Sequence, residues 1–210
     1  MEDPVGGALV LGIGNVLWAD EGFGVRAIEA LHARWELPES VELLDGGTQG
    51  LNLLGPVCAV PHVLVFDAID FGLPAGELRV LRDREVPAWA PAKMSLHQAS
   101  FQELLAIADL QGRFPARLAL VGVQPERLAD FGGSLSDCVR ARLDEAVSLA
   151  IDELARWGYV ARRRDAPPDE RLNAQAIDID PYEAGRPDAD AACRVGDARF
   201  LNIRHRLEAS

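Results

Sequence analysis

Glu21, Asp67 and His97 are the side chains whose types and settings suggest chemistry in this chain. Glu21 belongs to Leu11-Gly-Ile-Gly-Asn-Val-Leu-Trp-Ala-Asp-Glu-Gly-Phe-Gly24, where an apolar strand runs into two glycines, a short apolar loop and an acidic pair. Asp67 ends the apolar run Val63-Leu-Val-Phe66, and a carboxylate closing a buried strand is costly unless it is paired or bound. His97 lies in Lys93-Met-Ser-Leu-His-Gln98, just before a predicted helix. Taken singly, Asp67 reads equally well as a cap or a loop hydrogen bond, and a lone histidine as a helix-start residue. Together, two carboxylates and one imidazole at one sheet edge match an open O/N site for a divalent metal, completed by water or substrate. Asp45, opening Asp-Gly-Gly-Thr-Gln-Gly50, is a fourth candidate, although Asp-Gly-Gly is also a turn signal.

The glycines themselves admit a second chemistry. Gly12 and Gly14 let the backbone turn sharply and leave it uncovered, as in a phosphate cradle. Asp20 reads as an N-cap for the following helix, with Glu21 in its first turn, where the dipole favours an anion. A dinucleotide fingerprint needs a third glycine where this chain has Leu17. The acid expected on the ribose is also misplaced, since Asp45 follows Gly14 by 31 residues rather than about 20.

Other catalytic patterns are missing. The sequence has no His-Glu-x-x-His helix and no Gly-x-Ser-x-Gly elbow. Ser134 and Ser136 precede a helix, where capping explains them, and Cys58 falls within an apolar helix, a poor setting for a thiolate. His32, His62 and His205 carry no pattern that assigns them a role.

Strand-like and helix-like segments alternate through the first 158 residues and position these candidates. Predicted strands are Ala8–Ile13, Val41–Leu44, His62–Asp67, Glu77–Leu81 and Arg117–Val123; predicted helices are Glu21–Trp35, Leu51–Cys58, Gln98–Leu110 and Ser136–Trp157. Strands flanked by helices imply a mostly parallel sheet covered on both faces. The link from Asp67 to Glu77 is too short and too rich in Gly and Pro for a crossover helix, so the Glu77 strand should run antiparallel at an edge. The expected fold is a three-layer α/β/α sandwich around five strands, with one reversed. Strands of a parallel sheet end on one side, so Glu21, Asp45, Asp67 and His97 become neighbours there.

Composition sets outer bounds. A chain of 210 residues, 49% hydrophobic, fits one globular domain. The division expected is an α/β domain over 1–160 and an extension over 161–210, irregular or laid over the main domain. Nearly all of the net charge of −12 falls in residues 1–160, which argues against nucleic acid. No apolar run suits a membrane span, the start Met1-Glu-Asp-Pro lacks the basic opening of a secretory signal, and Cys58, Cys138 and Cys193 show no paired spacing. A cytoplasmic protein is expected.

The chain resembles the endopeptidases that mature the large subunit of nickel–iron hydrogenases. The resemblance rests on Gly12-Ile-Gly-Asn-Val-Leu-Trp-Ala-Asp-Glu21 with Gly24-Val-Arg26, on Leu44-Asp-Gly-Gly-Thr-Gln-Gly50 and on Phe66-Asp-Ala-Ile69. It continues in Ser95-Leu-His-Gln98 and Leu120-Val-Gly-Val-Gln-Pro-Glu126, covering residues 8–158 in order. It implies nickel recognition by Glu21, Asp67 and His97, with the nickel supplied by the substrate, although another divalent metal fits the same ligands. It also implies an aspartic-type classification, and a precursor shortened at its C-terminus just beyond the cysteine motif that ligates the metal.

The implied function is a metal-guided endopeptidase acting on the hydrogenase large-subunit precursor and expected to work as a monomer. Asp45 has a supporting role, orienting Gly46-Gly47 or touching the substrate's C-terminal segment. The alternatives are a nickel-sensing chaperone that grips the same precursor without cutting it, and a Rossmann-like nucleotide-binding enzyme.

Overall fold

The computed structural model describes residues 6–88, 96–128 and 130–185, without the side chains of residues 96–100 and 176. The elements in chain order are β1 (Ala8–Ile13), α1 (Phe23–Arg34), β2 (Trp35–Glu36), β3 (Val41–Gly47), α2 (Leu54–Ala59), β4 (His62–Ala68) and β5 (Leu78–Arg82). They continue with α3 (Glu85–Ala88), α4 (Leu96–Leu110), β6 (Arg117–Val123), α5 (Asp137–Arg140), α6 (Leu143–Arg156), β7 (Arg162–Arg163) and α7 (Ile179–Ala184).

Five strands form one sheet in the order β3-β1-β4-β6-β5. The first four are parallel, and β5 pairs antiparallel with β6 at the edge, as its short Gly- and Pro-containing connection demands. Alternate residues of each strand enter opposite cores. Ala8 and Val10 of β1, with Leu64 and Phe66 of β4, pack under α1 and α6. Leu9, Leu11, Val63 and Val65 pack on the other side with Leu104 and Leu105 of α4. The sheet is thus the middle of three layers.

Close approach of α1 to the sheet depends on glycine. A Cβ on Gly24 would lie 2.2 Å from the Ile13 carbonyl oxygen and 2.3 Å from that of Phe66. Only a residue without a side chain lets α1 settle there. The close packing that a dinucleotide fingerprint assigns to its third glycine falls here to Gly24.

Several local expectations change, among them the helix expected over Leu51–Cys58, which begins as a 3-10 helix over Gly50–Leu53, and the strand expected over Val41–Leu44, which runs on to Gly47. The helix expected from Glu21 begins as a 3-10 helix, Ala19–Gly22, before α1. The helix expected over Ser136–Trp157 is two pieces, α5 and α6. His97 lies within α4 rather than ahead of it.

Past α6, residues 161–185 run across α1. β7 pairs antiparallel with β2, and the Arg164 Nε donates to the carbonyls of His32 and Trp35 at 3.2 and 3.0 Å. No helix among the described residues is long and apolar enough to cross a membrane.

Candidate functional site

The carboxyl edge of the sheet carries Glu21 and Asp67. Glu21 sits in the 3-10 helix that follows the β1 loop, half-buried. Its backbone is clamped to that loop: the Asn15 amide donates to the Glu21 carbonyl at 3.2 Å. Gly14, at φ +134°, makes the clamp possible, because a Cβ there would lie 1.8 Å from the same oxygen. Asp67 is the penultimate residue of β4 and is 4% exposed. It is one step beyond Phe66, which is level with Gly12 of β1, so Glu21 and Asp67 share one rim.

Asp67 has the strand parity of Val63 and Val65, so it faces the α4 layer. His97 is the second residue of α4, and its side chain lies outside the described residues. The position of its backbone follows from lengths. A helix of 15 residues spans about 22 Å, much the same as the seven residues of β6 at roughly 3.3 Å each. With its last turn leading into β6, α4 therefore begins at the carboxyl edge. Among the described residues, no three His, Cys, Asp or Glu side chains form a metal-holding group.

Asp45 is placed differently. It lies within β3, which runs on to Gly47, and it shares the parity of Val41 and Leu43 on the α1 side. It therefore reaches the rim from the opposite face to Asp67. The register slips between Gly12 and Ile13, opposite Asp45 and Gly47, so Gly46 is an extra residue in β3. Gly47 donates its amide to Asp45 Oδ1 at 2.8 Å. Burial raises the Asp45 pKa and outweighs three lowering influences: the Gly47 amide, a hydrogen bond from the Asn173 side chain, and the charge of Arg26.

Two residues build the rim in ways that sequence did not assign, Asp20 and Gln124. Asp20 does not cap the helix. Its side chain is fully buried and accepts amide hydrogen bonds from Glu126 at 2.9 Å, Arg127 at 2.8 Å and Ser136 at 2.7 Å, and the Ser136 hydroxyl at 3.0 Å. Ser136 likewise makes no side-chain cap, because its hydroxyl is used on Asp20. Gln124 is 7% exposed and holds the loop after Asp67. Its Oε1 accepts the amides of Phe71 at 2.7 Å and Leu73 at 3.1 Å, and its Nε2 donates to Asp70 at 3.1 Å. Its signal in the sequence was its place immediately after β6, in Val-Gly-Val-Gln-Pro-Glu.

The chain as a whole has relatives of known kind. A model of the family described as hydrogenase maturation protease matches residues 25–153. The hydrogenase expression/formation protein HupD of Thiocapsa roseopersicina is 52% identical over 196 residues, 92% of this chain and 89% of the relative. The chain belongs to the hydrogenase maturation protease family. The hydrogenase 2 maturation protease of Escherichia coli K12 is 43% identical over 159 residues, covering 75% of this chain and 96% of the relative. The solved structure of the hydrogenase maturating endopeptidase HybD from Escherichia coli covers the same share of this chain and 98% of its own, with 41% identity and a TM-score of 0.72. The fold expected from strand and helix patterning, a mostly parallel five-stranded sheet between helices, is the fold of this family.

Proposed function

We propose that the protein is an endopeptidase that removes a short C-terminal peptide from a hydrogenase large-subunit precursor already carrying nickel, and that Glu21, Asp67 and His97 recognise that nickel. Family membership supports a protease of hydrogenase maturation. The observation that carries the nickel reading is the convergence of Glu21 and buried Asp67 on one rim, level with the start of the helix that bears His97.

The donor set suits the ion. Two carboxylates cancel the charge of a dication, and an imidazole is a good ligand for nickel. Held against them, the substrate's nickel fixes where the following peptide bond lies, which turns metal loading into a condition for cleavage. Gly46 and Gly47 end β3 beside Asp45, which accepts the Gly47 amide. In this reading Asp45 orients Gly46-Gly47 or touches the departing segment, which would make the enzyme aspartic in type. The substrate's nickel serves as template or as Lewis acid on the scissile carbonyl.

The protein is proposed to act in the cytoplasm as a monomer, with the precursor as its partner. The test is direct. Purified protein mixed with nickel-loaded precursor shortens it at the C-terminus, and nickel-free precursor stays intact. A stable complex without shortening would instead support a chaperone.

A further inference from the structure

The segment from Asn173 to Glu183 joins two sides of the rim. At one end, Asn173 donates to Glu29 Oε1 at 3.0 Å, and its side chain lowers the pKa of Asp45. In the middle, Arg26 of α1 is 4% exposed; it donates to the Ile177 carbonyl and pairs with Glu29 at 2.9 Å. The Tyr182 ring lies 5.6 Å from the same guanidinium. At the far end, the Tyr182 hydroxyl donates to the Gly133 carbonyl at 3.5 Å, and Glu183 accepts Ser134 and pairs with Arg140. Ser134 is two residues from Ser136, which holds Asp20, the neighbour of Glu21. One stretch of chain thus runs from beside the end of β3, past the first turn of α1, to the loop after β6.

The relatives divide over this stretch. The match to HupD extends over 196 residues, whereas the hydrogenase 2 maturation protease of Escherichia coli is used up, at 96% of its length, by a match of 159. The family model itself ends at residue 153. The family model therefore stops short of these residues, while the match to HupD is long enough to take them in.

We infer that residues 173–183 form a wall of the cleavage site that selects among hydrogenase large-subunit precursors, acting on the rim through Asn173. The inference rests on the proposed protease reading. Selection needs both an attractive contact and an obstacle. Asn173 supplies the first next to Asp45. The bulk of the segment, fixed on buried Arg26, supplies the second. Because Asn173 acts beside the scissile segment and not on the reacting atoms, its loss should appear in KM.

The experiment compares two precursors: the one processed by this protein, and a hydrogenase 2 precursor, the type named for the short Escherichia coli relative. Full-length wild type, Asn173→Ala and Glu183→Gln are assayed on both, with melting temperatures to show that each is folded. Asn173→Ala is expected to raise KM on the first precursor about tenfold, with kcat within about twofold. The ratio of kcat/KM between the two precursors should fall by a similar factor. Glu183→Gln, which loosens the other end, should move the ratio in the same direction. Equal changes on both precursors, or none, would overturn the inference and leave the protease reading intact. Failure of the wild type to shorten any precursor would overturn that reading first.

Discussion

Asp20 and Ser136 lie 116 positions apart and are joined twice, by the Ser136 amide to Oδ1 at 2.7 Å and the Ser136 hydroxyl to Oδ2 at 3.0 Å. With the Glu126 and Arg127 amides on the same carboxylate, this ties the loop carrying Glu21 to the loop after β6. Asp20→Ala removes the acceptor from three backbone donors at once. Leaving such donors unmatched is expected to cost about 2–4 kcal/mol. Urea unfolding checks this; a loss below about 1 kcal/mol would show that water replaces the carboxylate freely.

Asp45 should trade stability for function. Burial holds its pKa above the ordinary 3.8, so the folded protein binds this proton more tightly than the unfolded chain does. Stability then falls as pH rises from near 3.8 through the raised value, and the full cost is present at neutral pH. Asp45→Asn keeps an acceptor for the Gly47 amide and removes the charge. It is expected to melt higher than wild type at pH 7, to lose that advantage as pH falls towards 3.8, and to process precursor poorly. Thermal melts across pH test the first two points, and a cleavage assay the third.

Gly24→Ala drives a methyl group into the Ile13 and Phe66 carbonyls, both backbone atoms of central strands. Since neither can move alone, the expected loss is about 2 kcal/mol or more. A melting temperature within a degree of wild type would mean that α1 can ride further from the sheet than its packing suggests.

Free nickel offers a probe of the rim without precursor. If the proposed ligands are held ready in the resting protein, nickel binds the native state alone and stabilises it by about 2.7 kcal/mol at a hundredfold excess over Kd. The melting temperature should rise with nickel in wild type and stay fixed in Asp67→Ala. An equal rise in both would place the ion elsewhere.

Legibility in the sequence followed how local the cause was. β1 and β6 run over the same residues that alternation and apolar runs predict, because both strands are buried and their signal is in the strand itself. The reversed β5 was legible from a connection too short for a helix. Asp20 was not, since its local setting is that of a helix cap while its partners are over a hundred residues away. The break between α5 and α6 has the same origin: Ser136 pins the first turn to the rim, while the rest packs on the sheet and α1. The course of residues 161–185 was hidden because it is anchored by polar contacts such as Arg26 with Ile177 and Asn173 with Glu29, which leave no periodic pattern. Of the four candidate residues, sequence grouped all on one edge; strand parity separates Asp45 from Asp67.

The central claim is that Glu21, Asp67 and His97 read the nickel in the precursor, and single-turnover cleavage of loaded precursor tests it most directly. Glu21→Ala, Asp67→Ala and His97→Ala, each shown to be folded, should all lose processing by at least about a hundredfold, in line with losing a metal contact. Wild-type rates in all three would contradict the account.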